Sequence, residues 1–141
     1  MLAQLTEEYM VEEHAIAVFK SLGYSYSHGS NLTPYDGERE SYRDVILKKR
    51  FISAIKRINP WLSDELAERV YQLVSNIDHP DVVMRGKIFY DMLISGVKLT
   101  FREKGEEKNR LVKLIDFSNP ENNEFLVSNQ FEVEYYYEAE R

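Results

Sequence analysis

The hydrophobic pattern changes period at Gly96, and this change constrains the fold more than any other feature of the chain. Ahead of it, apolar residues recur every three or four positions. Behind it, apolar and polar residues alternate. The order predicts a mixed α/β class with four helices first and antiparallel or mixed strands after them.

Thr6 is placed to cap the first helix, with Glu7 and Glu8 at the positive end of its dipole. Val11, Ala15, Val18, Phe19 and Leu22 form its expected buried stripe, and Gly23 its C′ residue. Residues 24–41 are rich in Ser, Gly and Pro and read as a long loop, a kind that is often functional or mobile. A second helix is expected over Ser41–Ile58, with Leu47, Phe51, Ala54, Ile55 and Ile58 on one face. Asn59-Pro60 stops it, because a residue before proline avoids the helical region. The third helix starts from a Ser63 cap and turns Leu66, Val70, Leu73, Val74 and Ile77 inward. The fourth covers Asp81–Ser95, with Met84, Ile88, Phe89 and Met92 buried.

Val97–Arg102 alternates as a half-buried strand does, and Glu103–Asn109 reads as a charged hairpin loop around Gly105. Leu111–Phe117 is a second strand, Asn119–Asn123 a turn, and Phe125–Val127 a third strand. The last strand, Phe131–Tyr137, puts Phe131, Val133, Tyr135 and Tyr137 on one face. It then ends without a visible partner. An exposed edge is a liability, so the chain reads as a piece of a longer protein whose last strand favours self-association.

Composition sets outer limits. A chain of 141 residues can bury a core without staples, and the absence of cysteine excludes disulfides, thiol nucleophiles and cysteine-ligated metals. Eighteen Lys and Arg against 24 Asp and Glu give a net charge of −6, which argues against a wholly basic nucleic-acid binder but permits a local basic patch. No apolar run has the length of a membrane span, and the N-terminus lacks the pattern of a signal peptide. The sequence therefore reads as soluble and cytoplasmic.

Four groups of residues suggest chemistry. Pro80-Asp81 followed by Glu106-Glu107-Lys108 imitates the Pro-Asp…Glu-x-Lys metal site of restriction-type nucleases. That chemistry needs rigid adjacent strands. Asp81 opens a helix and Glu106–Lys108 reads as a solvated loop, so the match is set aside. Arg43, Arg50 and Arg57 recur every seven residues, as do Lys49 and Lys56, and all five would flank one side of the second helix. They read either as a phosphate-contacting face or as an ordinary solvated surface diluted by Glu38, Glu40 and Asp44. Glu8 and Glu12 share a helix face and could serve a metal, though surface carboxylates near a helix start are commonplace. His14, His28 and His79 have no spacing for a joint metal site, so no metal ligands are assigned. The sequence has no phosphate-cradling glycine loop and no Gly-x-Ser-x-Gly elbow.

The run Leu114-Ile115-Asp116-Phe117-Ser118-Asn119-Pro120-Glu121-Asn122-Asn123-Glu124-Phe125-Leu126-Val127-Ser128-Asn129-Gln130-Phe131 resembles the hallmark segment of the R subunits of type I restriction–modification enzymes. Glu8 with Glu12, then Leu22-Gly23-Tyr24, resembles the opening helix of that family, and Tyr42-Arg43-Asp44-Val45-Ile46-Leu47 resembles its second helix. Asn59-Pro60 with Leu62, and Ser95-Gly96-Val97, match later landmarks, so the likeness covers residues 6–131.

The resemblance implies that residues 1–141 are the N-terminal part of a RecB-like, restriction-endonuclease-type nuclease domain, truncated before its catalytic strands. In such proteins ATPase domains follow, Mg2+ and ATP are needed, duplex DNA is cut, and methyltransferase and specificity subunits are partners. The metal-binding Asp and the Glu-x-Lys of that family come after the Asn-Gln-Phe strand. The only residue here to which the resemblance gives a catalytic role is therefore Glu12, and the 141-residue chain alone is expected to be inactive. Glu132, Glu134, Glu138 and Glu140 would lie near the site entrance. A reading from another class is a noncatalytic interaction module that pairs through the Phe131–Tyr137 strand.

Overall fold

Gly96 takes φ +85° at the end of a helix, and a hairpin starts at the next residue, where the hydrophobic period changes. The computed structural model describes residues 7–134. Contacts divide the chain into two units, residues 46–124 and a discontinuous unit made of residues up to Val45 with those from Phe125 onward.

The continuous unit contains α2 (Lys48–Ile58), α3 (Asp64–Ser75), α4 (Val82–Ser95) and the antiparallel pair β2 (Val97–Glu103) and β3 (Glu106–Val112). Ser63 Oγ accepts the Leu66 N–H, as a serine cap should. Ala67, Val70 and Val74 on α3 pack with Ile55, Leu62, Val97, Leu99, Val112 and Leu114. Burying a side chain of this kind is worth roughly 1.5–3 kcal/mol, so this cluster holds the unit together. Asn59 is buried where α2 ends. Its Nδ2 donates to the Ile55 and Lys113 carbonyls, and its Oδ1 accepts the Lys113 N–H.

Several expectations for this unit need correction. The second helix starts at Lys48 rather than Ser41, because side chains and carbonyls of residues 41–44 are bonded in a turn. On α3, Leu73 is exposed, while Tyr71 takes an inward position against Phe51. No residue of α4 is fully buried: Phe89, Met92 and Leu93 touch the core, and Met84 faces out. Residues 103–109 are not a loop. Lys104 and Gly105, at φ +52° and +80°, make a two-residue turn, and Glu106–Lys108 lie in β3. The strand expected over Leu111–Phe117 ends at Val112.

The discontinuous unit contains α1 (Glu7–Ser21), β1 (Ser25–Tyr26) and β4 (Leu126–Val127), the last two paired in parallel. The expected Thr6 cap lies outside the described residues. Gly23 has the positive φ of a C′ glycine. The stripe expected on α1 is wrong: Val11, Val18, Phe19 and Leu22 are exposed, and Ile16 is the buried residue. Polar bonding from the Glu12 side, described below, decides which face turns inward. Residues 24–41 are ordered rather than structureless, with 3-10 turns at Gly29–Asn31 and Pro34–Asp36 and a buried Arg39.

Among the described residues the chain is mixed helix and strand, as expected, with two separate two-stranded sheets; the order differs from the expected one, because β1 comes before α2 instead of after the helices. Among the described residues no helix is long and apolar enough to cross a membrane. No strand forms over residues 131–134, and Tyr135 and Tyr137 lie outside the described residues.

Candidate functional site: the closure around Glu12 and Arg39

In the discontinuous unit, the Asn-Gln-Phe part of the hallmark run meets α1. Glu12 is half-buried, and its Oε1 accepts from Gln130 Nε2 at 2.7 Å while its Oε2 accepts from Asn129 Nδ2 at 3.3 Å. Asn129 Oδ1 accepts the Tyr26 hydroxyl at 2.6 Å, and its carbonyl accepts the Gly29 N–H at 2.8 Å. Both carboxylate oxygens of Glu12 are thereby engaged by amides. As observed, the residue fastens the hallmark segment to the helix. Glu8, which shared its face in the sequence reading, is exposed.

Arg39 binds the same segment two residues further on and is 2% exposed. Its Nε donates to the Leu32 carbonyl at 2.9 Å, its Nη1 to those of Asp44 at 2.9 Å and Tyr42 at 3.4 Å, and its Nη2 to that of Glu132 at 2.6 Å. The Phe131 and Tyr42 rings lie 4.2 and 5.1 Å from the guanidinium carbon. A planar fork of five donors can gather carbonyls from several segments in this way, whereas an ammonium cannot. The Glu134 N–H donates to Tyr42 O. Backbone groups of residues 132 and 134 are therefore occupied, which removes part of the free edge that the self-association and strand-pairing readings require. Sequence reasoning missed Arg39. Its signal was an arginine between two glutamates in a Ser-, Gly- and Pro-rich stretch, and pattern alone gives such a residue to solvent.

A second part of the hallmark run closes on itself in the continuous unit. Asp116 Oδ1 accepts the N–H groups of Ser118 and Asn119 at 3.1 and 2.9 Å, and its Oδ2 accepts from Asn122 Nδ2 at 3.0 Å. Asn123 answers in both directions: its Oδ1 accepts the Asp116 N–H and its Nδ2 donates to the Asp116 carbonyl. The Asn122 side chain, then the backbone of Asn119, hold the Asp116 carboxyl below its ordinary range.

The five cations of the proposed arc do not form one row. Arg43 sits in the turn before α2, not on the helix, because residues 41–44 are bonded around Arg39 and Asp44. Arg50 pairs with Glu124, Lys56 pairs with Asp64, and Arg57 Nε donates to the Asn122 carbonyl at 2.7 Å. Lys49 is exposed.

The nuclease-like decoy separates as well, although the loop setting used to dismiss it was wrong. Asp81 caps α4 by accepting the Val83 N–H, and Lys108 pairs with Glu103 at 3.1 Å. His28 and His79 accept backbone N–H groups from Ser30 and Asp81, in keeping with a capping role. Among the described residues no three His, Asp or Glu side chains gather into a set able to hold a metal ion.

Residues 4–141 match the family described as "Type I restriction enzyme R protein N terminus". The chain is 68% identical over 139 residues to a Methanocaldococcus jannaschii protein named "Putative type I restriction enzyme MjaIXP endonuclease subunit", covering 99% of this chain and 13% of that one. It is 30% identical over 125 residues to "Type I restriction enzyme HindI endonuclease subunit" of Haemophilus influenzae, covering 87% of this chain and 12% of that one. The chain thus spans about an eighth of the length of either relative. No solved structure matches it. With nearly the whole chain inside the family match, and its two most specific runs closing the turns just described, the protein belongs to the type I restriction enzyme R protein N-terminal family.

Proposed function

We propose that the whole protein carrying this chain is the DNA-cleaving, ATP-dependent translocating subunit of a type I restriction–modification system. It acts in the cytoplasm on duplex DNA, together with methyltransferase and specificity subunits. Residues 1–141 belong to its N-terminal nuclease domain, of the RecB-like kind. The observation that carries the reading is the family match over residues 4–141, with both relatives named as endonuclease subunits.

The described residues do not fit a resident Mg2+, and the sequence has no phosphate loop for ATP. We therefore derive no step through either group and assign both to the remainder of the whole protein. The role of this chain is to close its two hallmark turns, with Glu12 holding Asn129 and Gln130 in place rather than acting on substrate. Of the arc residues Arg43, Lys49, Arg50, Lys56 and Arg57, Lys49 is the best placed for a DNA phosphate, since Arg50, Lys56 and Arg57 are engaged inside their own unit.

The test is the intact protein with its methyltransferase and specificity partners, plasmid, Mg2+ and ATP. ATP-dependent double-strand cleavage is expected, while residues 1–141 alone leave the plasmid intact in Mg2+ or Mn2+. Absence of ATP-dependent cleavage by the complete assembly overturns the reading. Cleavage by the 141-residue chain overturns the assignment of the chemistry elsewhere.

A further inference from the structure

The hairpin of the continuous unit carries an arginine that is held in place without using its donors. By register, Val97, Leu99 and Phe101 on β2 face the same side as their partners Val112, Arg110 and Lys108 on β3. The inner end of this face, Val97, Leu99 and Val112, is buried in the core. The outer end puts two cations where apolar residues would otherwise extend that core. Trp61 and Phe101 stack beside them, ring centroids 6.1 Å apart and 12° from parallel, and the Arg110 guanidinium carbon lies 4.1 Å from the centre of the Trp61 ring.

Stacking on an indole fixes the plane of a guanidinium but leaves its N–H groups pointing outward along the edge. Arg110 is exposed, and its side chain makes no hydrogen bond or ion pair among the described residues. This is the reverse of Arg50 and Arg57 on α2, whose donors are taken. The groove that Arg110 borders, about 590 Å³, also holds Arg69, Arg102 and Lys108 against Glu65 and Glu103, an excess of positive charge in a chain of net charge −6. Arg69 gives one nitrogen to the Thr100 carbonyl, and Lys108 is paired with Glu103.

We propose that this groove seats a phosphodiester of the DNA backbone, with Arg110 as the fork that grips it. The inference rests on the functional reading above and adds to it the surface by which this chain meets DNA. Contact with phosphate alone carries no sequence information, so binding here is nonspecific.

The experiment uses the intact protein and measures its affinity for a nonspecific duplex across a range of salt concentrations. Losing one phosphate contact lowers the log–log slope by about 0.9, which at 0.1 M salt is an affinity loss of about eightfold. Arg110→Ala is expected to show both changes. Arg110→Gln, which keeps a stem over Trp61 and removes the charge, should do the same. Arg110→Lys should recover most of the slope but not the full affinity, because an ammonium neither stacks as a plane nor forks. Thermal unfolding of each variant confirms that the hairpin is intact. If the wild-type protein binds duplex while Arg110→Ala and Arg110→Gln match it in slope and affinity, the groove is overturned and the functional reading stands. If the wild-type protein shows no salt-dependent duplex binding, both fall together.

Discussion

Gly29 and Gln130 meet backbone to backbone: a Cβ added to Gly29 would lie 2.0 Å from the Gln130 carbonyl oxygen and 2.7 Å from the Phe131 nitrogen. The obstacle is space rather than conformation, because the atoms in the way are main chain and cannot rotate aside. Gly29→Ala is expected to destabilise the protein by about 3 kcal/mol, the upper end for overpacking, and to break the 2.8 Å bond from Gly29 N–H to Asn129 O. Denaturant unfolding measures it. An unchanged midpoint would show that the two segments do not touch in solution.

Removing Arg39 leaves carbonyls without their donor. Arg39→Met is expected to cost roughly 3–5 kcal/mol in total, because each buried carbonyl left without a donor costs about 1–3 kcal/mol. Arg39→Lys should recover only part of this, since one ammonium cannot reach the Leu32, Asp44 and Glu132 carbonyls together. Urea titration of both variants decides. Equal stability of Arg39→Lys and wild type would refute the multi-segment role.

The Asp116 carboxyl is held low by Asn122 and the backbone of Asn119, and the Glu68 carboxyl by its hydrogen bond to Lys48. A carboxylate whose folded-state value lies below its unfolded one adds stability above the unfolded value, near pH 4. It loses that stability as pH falls through the folded value. Thermal midpoints should therefore drop as acid is added below about pH 4. Asp116→Asn should flatten the part of this drop that it carries, and Glu68→Gln a separate part. Identical pH profiles for wild type and Asp116→Asn would count against the turn.

Glu12 offers a direct contrast between fastening and chemistry. Glu12→Ala strips the acceptors from Asn129 and Gln130 and is expected to cost about 1–2 kcal/mol, whereas Glu12→Gln keeps one carbonyl oxygen and loses less. In the whole protein, the DNA cleavage proposed above should follow this stability order. A folded, stable Glu12→Gln variant with abolished cleavage would instead support the catalytic role that the family resemblance implied.

Local signals were legible where neighbours in sequence are neighbours in space. Ser63 capped its helix, Val70 and Val74 formed its inner face, and Asn59-Pro60 ended α2 as read. Charged residues concealed β3, because a strand rich in Glu and Lys looks like a loop unless the two-residue turn at Lys104-Gly105 is recognised. The start of α2 was hidden by Arg39, which draws on carbonyls that a helix would have used. The face of α1 could not be read from hydropathy, since the partners of Glu12 lie more than a hundred positions away and act through hydrogen bonds. Among the candidate site residues, spacing suggested an arc of five cations but could not show that Glu124, Asp64 and Asn122 would occupy three of them.

The discontinuous unit has a consequence for biosynthesis. β1 waits for β4, Tyr26 for Asn129, and Arg39 for Glu132, and all of residues 46–124 must leave the ribosome between the members of each pair. The continuous unit has its own core and can be complete on the nascent chain while the first 45 residues are still without their partners. In that interval Arg39 is an ordinary hydrated cation and Gly29 an unremarkable glycine. A ribosome that pauses before Phe125 emerges would hold the protein half assembled, with α1 exposed to chaperones and proteases until synthesis resumes.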